Sequence, residues 1–339
     1  MMLRIPYRNR LLLKKILRIA LIVLAVALVL GVVLLIYIEP YIIYDRDGAH
    51  LDLAADENQP AASEELAARP TVENPLVIYD TDAPVEKTIA EMGGYYITTA
   101  MLQDPAAVFD AVKKLEEPCA VMIELKSIFG NFYYSTSIGG AQTADVEIAV
   151  IDELISYLVD NKFYVIAVVP AFSDRAFALD NQSCGLPLSS GALWMDEYGC
   201  YWLDPANETV KSYLMQIARE LSGLGIREVV FSSFRFPDSS NIVYASDRTS
   251  TEILRQTASE LTSFFTGSNL MISFETDAAD FPVDACAGRL YVPDVDGSQV
   301  ERYVQLYGGS ETLTELVFLA SSRDTRFENQ AVLRPLLTE

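Results

Sequence analysis

The chain has 339 residues, with 47 Asp or Glu, 25 Lys or Arg and one His, and its formal net charge is -22 at pH 7. A hydrophobic fraction of 51% is ample for a core, so the composition excludes a largely disordered chain. The acidic balance excludes nucleic acid as the main partner, because phosphate binding needs clustered Lys and Arg. A Ser-His-Asp triad or a His-rich zinc site would have to use His50, the single histidine, so carboxylates are the candidate acids and bases.

The N-terminus combines basic residues with a long apolar run. Residues 1–38 hold six basic residues and no acid, whereas residues 39–339 carry a net charge of -28. Residues 19–38 contain no charge, and at about 1.5 Å per residue they can cross a hydrocarbon core of about 30 Å. No small-residue cleavage signal follows. The positive-inside rule then predicts a cytoplasmic tail over residues 1–15, a single membrane anchor over residues 16–38, and an extracytoplasmic remainder attached to the cell membrane.

The segment that follows the anchor is rich in Ala, Glu, Asp and Pro. Residues 39–75 show no sustained apolar period, which is typical of a solvated spacer. We predict an acidic extracytoplasmic stalk here, which separates a folded domain over residues 76–339 from the bilayer.

The four cysteines have no spacing typical of a metal or redox site. Outside the membrane a disulfide is permitted, and Cys184 with Cys200 is the favoured pair because these residues bracket one loop. Four buried thiols are the alternative. Neither interpretation assigns the cysteines a chemical role, and we predict no metal and no cofactor.

Beyond residue 76, short apolar runs alternate with amphipathic segments of helical length. Strands are predicted over residues 94–98, 120–125, 163–169, 228–232, 270–274, 289–292 and 315–319. Helices are predicted over residues 105–117, 146–161, 205–223, 249–265 and 299–307, the third capped by Asp204 and opened by Pro205.

The alternation indicates an α/β fold with a parallel sheet, because solidly apolar strands are typical of sheets covered on both faces. Seven strands in this length fit a (β/α)8 TIM-like barrel better than an open doubly wound sheet. The eighth strand comes from residues 331–336, or the barrel is incomplete at its C-terminus. No glycine-rich nucleotide-binding motif follows the first strand.

One stretch resembles a known family. Residues 194–205 read W-M-D-E-Y-G-C-Y-W-L-D-P, and after a predicted helix residues 225–237 read G-I-R-E-V-V-F-S-S-F-R-F-P. Spacing and residue types are similar to those of the putative glycoside hydrolase domain family of bacterial envelope proteins, related to amylase-like barrels. Residues 94–98, G-Y-Y-I-T, resemble its opening strand. The resemblance covers residues 93–237 well and the remainder weakly.

The resemblance implies a glycosidase-like barrel, yet two acids of the family pattern are missing. The expected nucleophile position in strand four holds Ser232, and the second acid of the strand-two pattern is Ser127, whereas Glu124 keeps the charge of the first acid. Glycoside hydrolysis ordinarily uses two carboxyl groups across the scissile bond. A serine without an adjacent base does not replace the carboxylate.

Three acids at predicted strand ends are the remaining catalytic candidates. In such barrels the working groups project from the C-terminal ends of the strands. Glu275 is the candidate acid/base, and Glu124 or Asp294 is the candidate second carboxylate. A solvated acid at the end of a strand is the alternative interpretation of each.

Aromatic and polar residues at the same strand ends are candidates for sugar binding. An aromatic ring offers an apolar face to a pyranose, and Arg235 either orients a carboxylate, binds sugar hydroxyls or forms a plain salt bridge. Asp196 is either a sugar-binding residue or a residue that shapes its loop. The predicted substrate-binding set is Tyr96, Lys126, Trp194, Asp196, Trp202, Ser232 and Arg235.

Three functions remain open at this stage. The first is a membrane-anchored barrel that binds cell-envelope or exogenous polysaccharide and has degenerate or lost catalysis. The second is an active glycoside hydrolase that uses Glu275 with Glu124 or Asp294. The third is a scaffold that contacts other envelope proteins.

Overall fold

The computed structural model describes residues 42–45, 48–51, 88–115 and 117–337. The chain divides into two compact units, residues 1–79 and 80–339. In the first unit, β1 (Ile42–Asp45) and β2 (Gly48–Leu51) form an antiparallel pair. This pair lies within the segment predicted to be a stalk, so that segment is not wholly irregular.

The predicted tail and anchor, residues 1–15 and 16–38, lie outside the described residues. Within the part of the chain that is described, no helix combines the length and the apolar character needed to cross a bilayer. The single-pass anchor therefore stays a prediction from the sequence.

The second unit is a closed barrel of eight parallel strands, in the order β3-β4-β7-β8-β9-β10-β11-β12. The strands are β3 (Gly94–Ile97), β4 (Ala120–Glu124), β7 (Tyr164–Pro170), β8 (Glu228–Ser232), β9 (Met271–Glu275), β10 (Arg289–Val292), β11 (Glu315–Leu319) and β12 (Ala331–Pro335). A short parallel pair, β5 (Asn131–Phe132) and β6 (Gln142–Thr143), lies between β4 and β7.

The predicted (β/α)8 fold is confirmed, and the question of the eighth strand is answered. β12 pairs with β11 on one side and with β3 on the other, where Arg334 lies opposite Tyr95 and Pro335 opposite Tyr96. The barrel is therefore closed at its C-terminus.

Seven helices accompany the strands within the described residues: α1 (Ile89–Met92), α2 (Pro105–Val112), α3 (Ile148–Asp160), α4 (Arg175–Asp180), α5 (Glu208–Gly223), α6 (Ser250–Phe264) and α7 (Val300–Tyr307). α6 begins with a capping box between Thr249 and Glu252. The cap predicted at Asp204 is wrong: Asn207 caps α5, because its side chain accepts from the backbone N–H groups of Thr209 and Val210.

The inside of the barrel follows the two-residue alternation of a strand. Its apolar filling comes from alternate positions on the strands and is separate from the larger core between the strands and the helices. The inner residues include Met122, Ile166, Val168, Val230, Val317 and Leu333.

A buried charged cluster closes the N-terminal end of the barrel. The carboxylate of Glu228 is fully buried and accepts from Arg289 at 2.7 Å, from Ser273 at 2.5 Å and from the hydroxyls of Tyr164 and Tyr291, each at 3.0 Å. Such a charge is tolerated only when it is paired and fully hydrogen-bonded.

The same cluster holds α1 against the barrel. The Arg289 Nε donates to Glu315 at 2.9 Å, and the Glu315 carboxylate accepts the backbone N–H groups of Ile89 and Ala90, both at 2.9 Å. Ile89 is fully buried among the residues of the barrel interior. Ionic contacts and a helix therefore close this end, which leaves the opposite end for ligands.

Candidate functional site

Three of the predicted site residues point into the C-terminal mouth of the barrel. Each lies two positions after an inward-facing residue on its own strand, so the alternation of the strand turns it inward as well. The three are Glu124 at the end of β4, Ser232 at the end of β8 and Glu275 at the end of β9. Tyr96 on β3 packs against the inner cluster from the same end.

Glu275 is the most perturbed acid of the mouth. Burial, together with the charges of Glu124, Asp294 and Asp277, raises the pKa of its carboxyl to about 8. Its side chain makes no hydrogen bond among the described residues. A carboxyl group in this environment is protonated at neutral pH and can donate a proton.

Glu124 faces the mouth from β4, and β7 and β8 separate this strand from β9, which carries Glu275. Burial and the charge of Asp294 raise the pKa of Glu124, although the backbone N–H of Thr99 donates to its carboxylate at 2.6 Å. Burial, Asp294 and Glu124 also raise the pKa of Tyr96. These mutual effects indicate that the three acids and the phenol share one electrostatic environment.

Two residues just beyond the ends of barrel strands have a left-handed backbone conformation. Ser233 follows β8 and Asp294 follows β10, and both have a φ of 51°. Such conformations cost energy for residues other than glycine and concentrate at functional sites. Asp294 is exposed at the mouth, beyond the end of its strand.

Ser232 occupies the position where the family resemblance expects an acid. It pairs with Pro170 across β7 and β8, and its carbonyl oxygen accepts from the backbone N–H of Ala171 at 2.8 Å. The residue is partly buried. Since Ser232 faces inward, the strand-four position offers a hydroxyl to the mouth in place of a carboxylate.

The two tryptophans lie together in the segment between α4 and α5, on the connection from β7 to β8. The rings of Trp194 and Trp202 meet edge to face with centroids 6.4 Å apart, and the Arg235 guanidinium lies 5.5 Å from the Trp202 ring centre. Trp202 is only 5% exposed, and its indole N–H donates to Asp196 at 2.9 Å. The prediction that Trp202 offers an open face to a sugar is therefore wrong, whereas Trp194 is only partly buried.

Asp196 shapes its own loop. One carboxylate oxygen accepts the backbone N–H groups of Tyr198 and Cys200, at 3.0 and 2.9 Å, while the other accepts from Trp202. The carboxylate is committed to these contacts, so its predicted alternative as a loop residue describes it better than sugar binding.

Lys126, predicted to bind substrate, is enclosed inside the protein. It is 1% exposed, and its ammonium contacts the Asp174 carboxylate at 2.6 Å, where Tyr213 also donates at 3.1 Å. The chain leaves β4 after Glu124, so the strand alternation no longer turns Lys126 toward the mouth. An enclosed ammonium cannot contact a substrate, and Lys126 instead fixes Asp174 at the start of α4.

Two residues outside the predicted site set also organise the site. Thr99 binds Glu124 through its backbone, and Asp277 adds a negative charge beside Glu275. Asp277 is two residues beyond the end of β9, and an acid so close to a strand end could have been selected as a site residue from the sequence. The backbone contact of Thr99 leaves no mark in the sequence.

The four cysteines are free thiols, so the favoured Cys184–Cys200 pair does not form. Cys184, Cys200 and Cys286 are buried. Within the described ranges no three His, Cys, Asp or Glu side chains gather as a metal site.

Together, the closed barrel and the acids at its C-terminal mouth define a protein of the glycoside hydrolase barrel type. The chain belongs to the family described as the putative glycosyl hydrolase domain, whose model matches residues 94–279. The match includes Glu124, Ser232 and Glu275 and ends before Asp294.

Several solved structures are similar to this chain. A cycloisomaltooligosaccharide glucanotransferase of Paenibacillus sp. is 12% identical with a TM-score of 0.50, over 69% of this chain and 39% of that one. A hypothetical protein of Ruminiclostridium thermocellum is 22% identical with a TM-score of 0.46, over 53% and 96% of the two chains. A β-N-acetylglucosaminidase of Vibrio harveyi is 10% identical with a TM-score of 0.45, over 65% and 38%. Among curated proteins, no sequence matches the chain.

Proposed function

We propose that the protein is anchored in the cell membrane and that its extracytoplasmic barrel binds a cell-envelope or exogenous polysaccharide in the C-terminal mouth. One observation carries the proposal: Glu124, Ser232 and Glu275 all face into the mouth of a barrel of a glycosyl hydrolase family. Carboxylates and hydroxyls are good partners for sugar hydroxyl groups. Tyr96 is a partly exposed ring beside these acids, and Trp194 is a partly exposed ring in the segment after β7.

The anchor rests on the sequence. Within the predicted anchor, residues 16–38, the uncharged run of residues 19–38 has the length of a membrane span, and the basic residues before it set the orientation. The acidic remainder then lies outside the cytoplasm, where polysaccharides of the envelope are within reach.

Glycan binding is tested with the full chain in detergent micelles on a glycan array, followed by titration of any glycan that binds. We expect a glycan whose binding weakens in both Glu124→Gln and Trp194→Ala. Glu311→Gln is the matched control, because Glu311 is exposed in the loop before β11. A protein that binds no glycan contradicts the proposal, and so does binding that is equal in all variants.

Hydrolysis is the second candidate function, and the raised pKa of Glu275 favours it. A carboxyl group that is protonated at neutral pH can give its proton to the glycosidic oxygen as the bond to the leaving sugar breaks. Glu124 or Asp294 would then stabilise the positive charge that develops on the sugar ring, or activate a water molecule. Ser232 cannot take that part, because a hydroxyl does not carry the required charge.

Release of reducing sugar from a bound glycan tests this candidate. We expect Glu275→Gln to lower turnover by about 100-fold or more while the glycan still binds, because the amide keeps the shape and loses the proton. Binding without turnover in the unmodified protein would contradict hydrolysis and leave glycan binding intact. Unchanged turnover in Glu275→Gln would remove Glu275 as the acid.

A further inference from the structure

The charges that surround Glu275 are all of one sign. Glu124, Asp294 and Asp277 act on its carboxyl, and each of them is a carboxylate. Asp294 is exposed, and no hydrogen bond or ion pair holds its side chain within the described residues. The carboxyl group of Glu275 likewise has no hydrogen-bond donor there. These groups are therefore available to a ligand.

Within the described residues, no Lys or Arg side chain forms a hydrogen bond or ion pair with Glu124, Glu275 or Asp294. Of the basic residues at this end of the barrel, Lys126 contacts Asp174, and Arg326 donates two hydrogen bonds to Asp324. Arg235 lies over the ring of Trp202. The acids of the mouth therefore have no directly paired cation among the described residues, and the domain as a whole is strongly acidic. A ligand that brings positive charge is drawn toward such a cleft.

The acids are spread around the mouth. β7 and β8 stand between the strands that carry Glu124 and Glu275, and neighbouring strands lie about 4.8 Å apart. Asp294 follows β10, on the other side of β9. This arrangement suits an extended ligand with several polar or charged positions better than a single small ion.

We infer that the mouth selects polysaccharides that contain free amino sugars, in which protonated amino groups pair with Glu124 and Asp294. This inference rests on the glycan-binding function proposed above and adds the class of glycan. An N-acetylated sugar lacks the positive charge, so it leaves the carboxylates unpaired. A negatively charged glycan would be repelled by them.

Matched ligand pairs test the inference. The probes are oligosaccharides of β-linked glucosamine and of galactosamine, each with its fully N-acetylated counterpart of the same length. The full chain in detergent micelles is titrated at about pH 6, where amino groups are protonated. We expect the amino forms to bind at least about tenfold more tightly, and added salt to reduce the difference.

Variants identify the acids that are responsible. Asn tolerates a positive φ as Asp does, so Asp294→Asn removes the charge and retains the backbone. We expect Asp294→Asn and Glu124→Gln each to weaken binding of the amino form by about fivefold or more, and to weaken binding of the N-acetylated form by a smaller factor. Glu311→Gln, away from the mouth, should change neither.

The outcomes separate this inference from the function on which it rests. Preference for N-acetylated or neutral glycans overturns the inference and supports glycan binding. The inference is also wrong if the amino form binds equally tightly to the unmodified protein and to both variants, Asp294→Asn and Glu124→Gln. If basic peptides bind as tightly as amino sugars of equal charge, the mouth recognises positive charge and not the sugar, and the assignment to a glycan is wrong.

Discussion

Replacing Glu275 with Gln should change how the stability of the protein depends on pH. The pKa of this carboxyl is raised to about 8 in the folded protein, whereas an exposed Glu titrates near about 4.3. Between these values the folded state keeps a proton that the unfolded state has lost. Stability therefore falls as the pH rises through this window, and Glu275→Gln abolishes that loss.

The size of the effect follows from the shift. A difference of between three and four pKa units corresponds to about 5 kcal/mol at 1.36 kcal/mol per unit. Glu275 is half-buried at the mouth, and screening by solvent there reduces the expected value to about 2 to 3 kcal/mol. For a domain of this size, that corresponds to a difference of roughly 5 to 10 °C in Tm.

Thermal unfolding of the full chain at about pH 5 and about pH 9 measures this difference. The quantity compared is the Tm of Glu275→Gln minus the Tm of the unmodified protein. We expect this difference to be roughly 5 to 10 °C larger at the higher pH than at the lower pH. Glu311→Gln, an exposed acid, should show no such change. A Tm difference for Glu275→Gln that is the same at both pH values would refute the reasoning that the mouth holds a protonated carboxyl.

Three further substitutions test contacts that hold the barrel and its helices together. Arg289→Met leaves the buried carboxylate of Glu228 without its cation and should cost about 3 to 5 kcal/mol, seen as a Tm lower by roughly 10 °C. Lys126→Met should likewise cost about 3 kcal/mol, because Asp174 stays buried and unpaired. Thr249→Ala removes the cap of α6 and should lower stability by about 1 kcal/mol in denaturant unfolding.

Matched variants show whether these losses arise from the contacts named. Replacing Glu228 with Gln alongside Arg289→Met removes the unpaired charge and should recover part of the stability. Thr249→Ser retains the capping oxygen and should unfold close to the unmodified protein. An Arg289→Met protein as stable as the parent would mean that the charged cluster does not hold the N-terminal end.

The strands of the barrel were readable from the sequence because inner strands covered on both faces are continuous apolar runs. β8, β10 and β11 have the predicted ends, and β7 and β9 differ by one residue. The start of α5 was harder to place. Asp204 and Asn207 are both good capping residues three positions apart, and only the structure shows that Asp204 instead binds Tyr244 and the backbone of Ala206.

The candidate site was predictable where strand alternation applies and unpredictable where it ends. Glu124 and Glu275 are the last residues of their strands, so their position on the inner side follows from the pattern. Lys126 and Trp202 lie on connecting segments, and long-range partners decide their burial. Neither Asp174 for Lys126 nor Arg235 for Trp202 is marked by a local sequence pattern.

Tryptophan fluorescence tests most directly whether the mouth is the glycan-binding site. The protein has two tryptophans, and both Trp194 and Trp202 lie on the connection from β7 to β8 at this end of the barrel. Titration with a bound glycan should give a saturable fluorescence change with the same Kd as direct binding, and Glu124→Gln should weaken both together. Glycan binding that leaves the fluorescence unchanged and is insensitive to Glu124→Gln would place the ligand elsewhere and contradict the account.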